Sequence, residues 1–285
     1  MGRVGIVCDS TCDLGLDWYR ENDVTMVPLK VLFGEESFLD WVDLSPDQFF
    51  KRLVESSSLP KTSQPTPEDF KQAYGALFDA GCSDIVSIHL TSPLSGTYES
   101  ALAGADSISD HPGSVRVVDT KLVSQGTGLV VKKAVEARDA GASASEIEAL
   151  AHESSKQCQL FFILDTLEYL VKGGRAGKAS GLAASVLNIK PVLTFNEEGT
   201  VEPFKKVKGL KKAMAELAAH VAEESKKHRL RVAFLSACRP DLSEELRRAL
   251  EDAGADFTVD SDGLVGAVIG TYAGPGAVGC AFLPA

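Results

Sequence analysis

Ile85-Val86-Ser87-Ile88-His89-Leu90-Thr91-Ser92-Pro93-Leu94-Ser95-Gly96-Thr97-Tyr98 reads as a buried strand, a hydroxyl-rich elbow and the opening of a helix. The run from Ile85 to Leu90 is short and apolar, as a strand covered on both faces requires. Ser95 is placed to cap the following helix, with Glu99 near its start. A second elbow lies upstream, Thr62-Ser63-Gln64-Pro65-Thr66-Pro67. There Pro65 and Pro67 keep the backbone extended, and Thr66 is predicted to cap a helix opening at Pro67 with Asp69 in its first turn. If both elbows leave neighbouring parallel strands, their hydroxyls and free N–H groups meet in one crevice at the strands' carboxyl ends. Such a crevice suits a small anion, a carboxylate or a phosphate, without a cationic side chain.

Working outward, Val4 to Cys8, Thr25 to Phe33 and Val115 to Val118 read as further strands. Ser45 is predicted to cap a helix from Pro46 to about Ser56, and long helices follow over Leu122–Ala140 and Ser145–Lys156. Strand and helix alternating at this spacing predict an α/β fold with a parallel sheet, over residues 1–158. From Gln159 the pattern changes. Strand Leu160–Leu164, a short helix Thr166–Val171 and a basic loop Lys172–Lys178, expected to be flexible, precede a helix over Gly181–Asn188. A hairpin of Pro191–Phe195 with Val201–Val207 and a helix Leu210–Glu224 come next. Strand Arg231–Ser236, helix Asp241–Ala253, strand Asp256–Val259, helix Gly263–Thr271 and strand Val278–Leu283 complete an α+β second domain over 159–285.

The 285 residues carry a formal net charge of -11, which argues against general nucleic-acid binding and against an anionic membrane surface as partner. The six cysteines are scattered and form no C-x-x-C pair, so reduced core thiols are expected rather than zinc. With no span-length apolar stretch and no signal peptide, the expected location is cytoplasmic. Gly274-Pro275-Gly276-Ala277-Val278-Gly279 spells a dinucleotide fingerprint but precedes a strand instead of opening a helix. The loop Gly173–Lys178 lacks the first glycine and the magnesium-binding hydroxyl of a phosphate loop. No metal or cofactor is expected. Residues 172–212 run against the overall charge: nine Lys and Arg against three Glu, a local 9 − 3 = +6. An anionic partner suits that segment.

These phrases together resemble the DegV family, fatty-acid-binding proteins that act as acyl carriers for bacterial fatty acid kinase. The matching residues are Asp9-Ser10-Thr11, Thr62-Ser63-Gln64-Pro65, Leu94-Ser95-Gly96-Thr97-Tyr98, Asp119-Thr120, Gly173-Gly174-Arg175 and Gly270-Thr271-Tyr272-Ala273-Gly274-Pro275-Gly276. They span nearly the whole chain. The resemblance implies a Rossmann-like first domain, an α+β second domain and a long acyl chain buried between them, and the apolar runs Leu182–Leu187 and Leu264–Ile269 of the second domain are expected to line its tail. It implies that Thr62 and Ser95 bind the fatty-acid carboxylate, with Ser92 and Ser63 as further hydroxyls, and that a separate kinase subunit phosphorylates the bound acid. The family commonly has histidine where this chain has Tyr272, which replaces a titratable ring with a neutral phenol. The head-group site is therefore expected to be a wholly neutral hydroxyl cluster. Arg175 and Lys178 in the basic loop are expected to dock the kinase. The alternative is a small acyl- or phosphate-ester hydrolase using Ser92 or Ser95 with His89 as base.

Overall fold

The structure, a computed structural model, describes residues 2–108, 110–182 and 190–285. Strand β1 (Arg3–Asp9) is buried from Val4 onward and runs into a 3-10 turn at Ser10–Cys12, pinned by Asp9 accepting from the Thr11 N–H. Helix α1 (Leu16–Glu21) leads to β2 (Val24–Val27), which lies parallel to β1. The single strand expected over Thr25–Phe33 is in fact two strands in two sheets. Pro28 has no N–H to give a ladder, and the next N–H, of Leu29, turns to the Ser10 hydroxyl at 3.1 Å. Strand β3 (Lys30–Phe33) then pairs antiparallel with β4 (Glu36–Leu39).

Helix α2 (Pro46–Glu55) opens with the Ser45–Gln48 capping box. Strand β5 (Lys61–Ser63) follows and pairs antiparallel with β3, closing a small sheet ordered β4-β3-β5. The first elbow therefore does not leave a parallel strand, as expected above; three residues with no apolar period carry too little pattern to announce a strand. Helix α3 (Pro67–Asp79) starts on the predicted cap, with Thr66 and Asp69 bonded reciprocally. Strand β6 (Cys82–His89) ends in a 3-10 turn at Ser92–Leu94, then α4 (Thr97–Asp106). Ser95 does not cap α4. The cap position is Gly96, and the Ser95 hydroxyl instead pairs with that of Thr97 at 2.9 Å. Strand β7 (Ser114–Asp119) and helices α5 (Ser124–Asp139) and α6 (Ala144–Gln157) complete this half, whose parallel sheet is ordered β2-β1-β6-β7.

The second half is built on a sheet ordered β10-β9-β8-β13-β11-β12. It runs through β8 (Gln159–Ile163), α7 (Glu168–Lys172), β9 (Val192–Phe195), β10 (Val201–Lys205) and α8 (Leu210–Ser225). Then come β11 (Leu230–Ser236), α9 (Pro240–Asp252), β12 (Phe257–Leu264), α10 (Ala267–Ala273) and β13 (Val278–Pro284). Only β11 and β12 are parallel; the other pairs are antiparallel, a mixed sheet as an α+β unit allows. The helix expected over Gly263–Thr271 begins later, because β12 keeps pairing with β11 as far as Leu264. The helix expected over Gly181–Asn188 falls almost wholly outside the described residues.

Strand alternation divides the second sheet's faces. Along β11, Leu230, Val232 and Phe234 pack with Met214, Leu217, Leu246 and Leu250 of α8 and α9. Ala233 and Leu235 face the other way, into a cluster continuous with Ile6, Ile88, Leu129 and Val130 of the first half. No helix among the described residues is long and apolar enough to cross a membrane.

Helices α3 and α4 touch at Gly104, where an added Cβ would lie 2.7 Å from Phe70 Cβ and 2.9 Å from the Pro67 carbonyl. Backbone cannot retreat as a side chain can. Gly104→Ala is expected to lower stability by roughly 1–3 kcal/mol, read as a lower urea midpoint; an unchanged midpoint contradicts this contact.

Candidate ligand-binding site

Between the two halves of the chain lies a cavity of about 330 Å³, within the range of small-molecule sites. The first half contributes Leu29, Leu90, Leu94 and Val123 to its wall. The second contributes Leu160, Phe162, Leu164 and Leu235 from the sheet side, and Val268 and Ile269 from α10. The first half's share comes from the segments that follow β2, β6 and β7, whereas the second half's comes from the inward face of its sheet and from α10. At one place the lining turns polar: Thr62, Ser63 and Gln64 from β5 and its turn, Ser95 and Gly96 from the second elbow, Arg175, and Tyr272 of α10. Ser63 and Gln64 are exposed while the apolar wall is largely buried, so the polar cluster marks the mouth.

The mouth is bonded together across the chain. The Thr62 and Tyr272 hydroxyls sit 2.5 Å apart. Gln64 Nε2 donates to the Ser100 hydroxyl at 3.0 Å. Arg175 lies over the Tyr272 ring, 5.0 Å from its centroid, and donates through Nε to the Leu94 carbonyl at 3.3 Å and through a terminal N–H to the Gly173 carbonyl at 2.9 Å. Gly173 permits this stacking, since a Cβ there would stand 2.4 Å from the Tyr272 ring. A guanidinium has five N–H donors, so two bonds leave others for a ligand.

Two expectations change here. The cluster is not wholly neutral, because Arg175 belongs to it. Nor does Arg175 sit in a free loop: its two carbonyl contacts and the ring fix it, and Ala176 beside it is buried. Lys178 does not line the cavity; it is exposed and pairs with Glu202 at 3.0 Å. Ser92 stands outside the lining too, accepting from Lys121 Nζ at 3.1 Å while its N–H donates to Asp119. The apolar run Leu182–Leu187, expected to line a ligand's tail, lies almost entirely outside the described residues. The run Leu264–Ile269 does contribute, through Val265, Val268 and Ile269.

His89 cannot serve Ser92 or Ser95 as a base in this arrangement. Its ring is fully buried, with Nε2 2.7 Å from the Ser87 hydroxyl and Nδ1 3.0 Å from Asp9. Ser87 bonds in turn to Tyr74, itself buried, so this chain of groups ties β1, β6 and α3 together away from the cavity. The hydrolase pairing is thus absent. Arg175, Gln64 and Gly96 were not singled out from sequence as lining a cavity. Their presence inside three of the family phrases was the available signal.

Helix α10 owes its position to two buried carboxylates of the first half. Asp13 accepts from the N–H of Gly266 at 2.9 Å, from Trp41 and from Ser124; Asp40 accepts from the N–H of Ala267 at 2.8 Å and from Ser10. Without a side-chain cap of its own, α10 has its first donors satisfied from across the interface. Burial pushes the Asp40 carboxyl up to about 7, against the bonds that favour its ionised form. Burial, and then the neighbouring Asp40, hold Asp13 well above the usual carboxylate range.

The family described as "Uncharacterised protein, DegV family" matches residues 3–285. A DegV domain-containing protein of Deinococcus radiodurans is 39% identical over 284 residues, covering 99% of this chain and 98% of the relative. A solved structure described as fatty acid binding of a DegV family protein from Thermus thermophilus superposes with a TM-score of 0.91 at 33% identity, covering 99% of this chain and 100% of that one. A stearic acid-binding protein from Eubacterium ventriosum gives a TM-score of 0.88 at 27% identity, covering 99% of this chain and 98% of that one.

Asp40 provides a pH signature. A carboxyl whose pKa is raised on folding stabilises the fold fully below the unfolded value near 4, and that contribution is lost as pH rises toward about 7. Asp40→Asn removes the dependence. Urea unfolding is expected to show the variant gaining on wild type between those limits and levelling above them. Parallel stability curves contradict the assignment.

Proposed function

Because the chain belongs to the DegV family, we propose that its cavity holds a long-chain fatty acid, with the carboxylate at Thr62, Ser63, Ser95 and Tyr272. The single observation that carries this reading is an apolar cavity of about 330 Å³ whose mouth gathers hydroxyls and one guanidinium. The solved relatives described as fatty-acid binding support the same ligand class. A sixteen-carbon acid offers ~14 methylenes, and at ~0.8 kcal/mol each their burial supplies roughly 11 kcal/mol before losses. Part of that offsets lost translational freedom and imperfectly paired polar groups. Taken from water, the carboxylate needs several donors. The mouth offers them, and Arg175 adds charge. On this reading residues 1–158 and 159–285 are two domains that close over the acyl tail.

We propose further that the protein is a carrier. It presents the bound acid to a separate kinase for acyl-phosphate formation and performs no chemistry alone. The placement of the polar cluster at the exposed end supports presentation of the head group, and the basic residues beside it suit an acidic partner surface. Of the two expected docking residues, Lys178 is free of the cavity while Arg175 has a ligand-facing place as well.

Two measurements check these statements. In a fatty-acid titration, Thr62→Ala and Ser95→Ala are each expected to weaken binding roughly tenfold or more, as loss of a hydrogen bond to a charged group does; unchanged affinity in the double variant means the carboxylate lies elsewhere. In a coupled assay with the kinase, Lys178→Glu is expected to reduce acyl phosphorylation while fatty-acid affinity stays level. Undiminished phosphorylation removes Lys178 from the docking surface.

A further inference from the structure

Thr62 and Ser63 belong to the small antiparallel sheet, whereas Ser95 follows a strand of the parallel sheet. β5 pairs only with β3, and among the described residues no backbone hydrogen bond joins residues 61–66 to residues 91–106. One side-chain bond does: Gln64 Nε2 to the buried Ser100 hydroxyl on α4, at 3.0 Å. To make it, the Gln64 carboxamide crosses directly above Gly96. A Cβ at position 96 would stand 2.3 Å from Gln64 Oε1, 2.6 Å from Nε2 and 2.7 Å from Cδ. The backbone of Gly96 does not itself call for glycine, since its φ of -74° and ψ of 15° suit any residue. Space for the carboxamide is what position 96 supplies.

We infer that Gln64 is a positioning residue, a strut that holds the Thr62–Ser63 edge at a fixed distance from Ser95, and that Gly96 exists to let it pass. The inference rests on the fatty-acid reading for its ligand. Hydroxyls on two separate sheets converge on one carboxylate only if their spacing is fixed, since a displacement near an ångström forfeits a hydrogen bond. The strut therefore serves the anionic head and contributes little to holding the hydrocarbon tail.

The two residues allow a clean test. Alanine at 96 meets only the end of a flexible side chain, so Gly96→Ala expels the carboxamide without breaking the fold. Affinities of wild type, Gln64→Ala, Gly96→Ala and the double variant are measured for a long-chain fatty acid and for the alcohol of equal length. Each single change is expected to weaken the acid roughly three- to tenfold, to leave the alcohol within about twofold, and to add nothing further in the double variant. Unchanged acid affinity in Gln64→Ala, an equal loss for the alcohol, or additive losses in the double variant overturn the strut. If wild type binds neither ligand, the fatty-acid reading itself falls. Melting temperatures of the same four proteins then decide the strut, because a contact between positions 64 and 96 makes the two changes non-additive and its absence makes them additive.

Discussion

A hydrocarbon tail and a carboxylate make opposite demands on a protein interior. The tail gains by leaving water; the charge loses heavily unless donors replace its hydration. This chain separates the two demands in space. The segments after β2, β6 and β7, the inward face of the second sheet and α10 supply apolar wall, and one end supplies hydroxyls, one guanidinium and an amide. Neither sheet provides both. The donors come from β5, the elbow after β6, the loop at Arg175 and α10, which meet only because the two halves pack face to face.

That packing has a polar cost that the first half meets. α10 begins inside the protein with its N–H groups unpaired by any residue of its own, and Asp13 and Asp40 reach across to accept from them. Burial pushes both carboxyls up, and the neighbouring Asp40 pushes Asp13 further. The consequence for the site is positional. Tyr272 lies one and a half turns along α10 from the anchored end, so the carboxylates that fix Ala267 also fix the phenol that meets Thr62.

Much of this was legible in the residues where the signal was local. The Thr66 and Ser45 caps, the hairpin of β9 with β10 and the strand at Arg231–Ser236 follow from spacing within a few positions. What failed was whatever depended on a distant partner. Pro28 broke an apparently continuous strand because the Leu29 N–H had a better acceptor in Ser10, nineteen residues away. Lys61–Ser63 became a strand only because β3 offered an edge. Arg175 was read as surface charge because sequence records its sign and not the ring it stacks on. His89 looked like a base beside serines, and its two ring nitrogens were already engaged by Asp9 and Ser87.

The central claim is that one fatty acid occupies the cavity. Native mass spectrometry of the intact protein, as isolated from a bacterial host and again after exposure to free fatty acid, tests it most directly. The expected spectrum shows the chain with a single adduct whose mass is that of one long-chain fatty acid, released on denaturation. A spectrum of bare protein under both conditions contradicts the account.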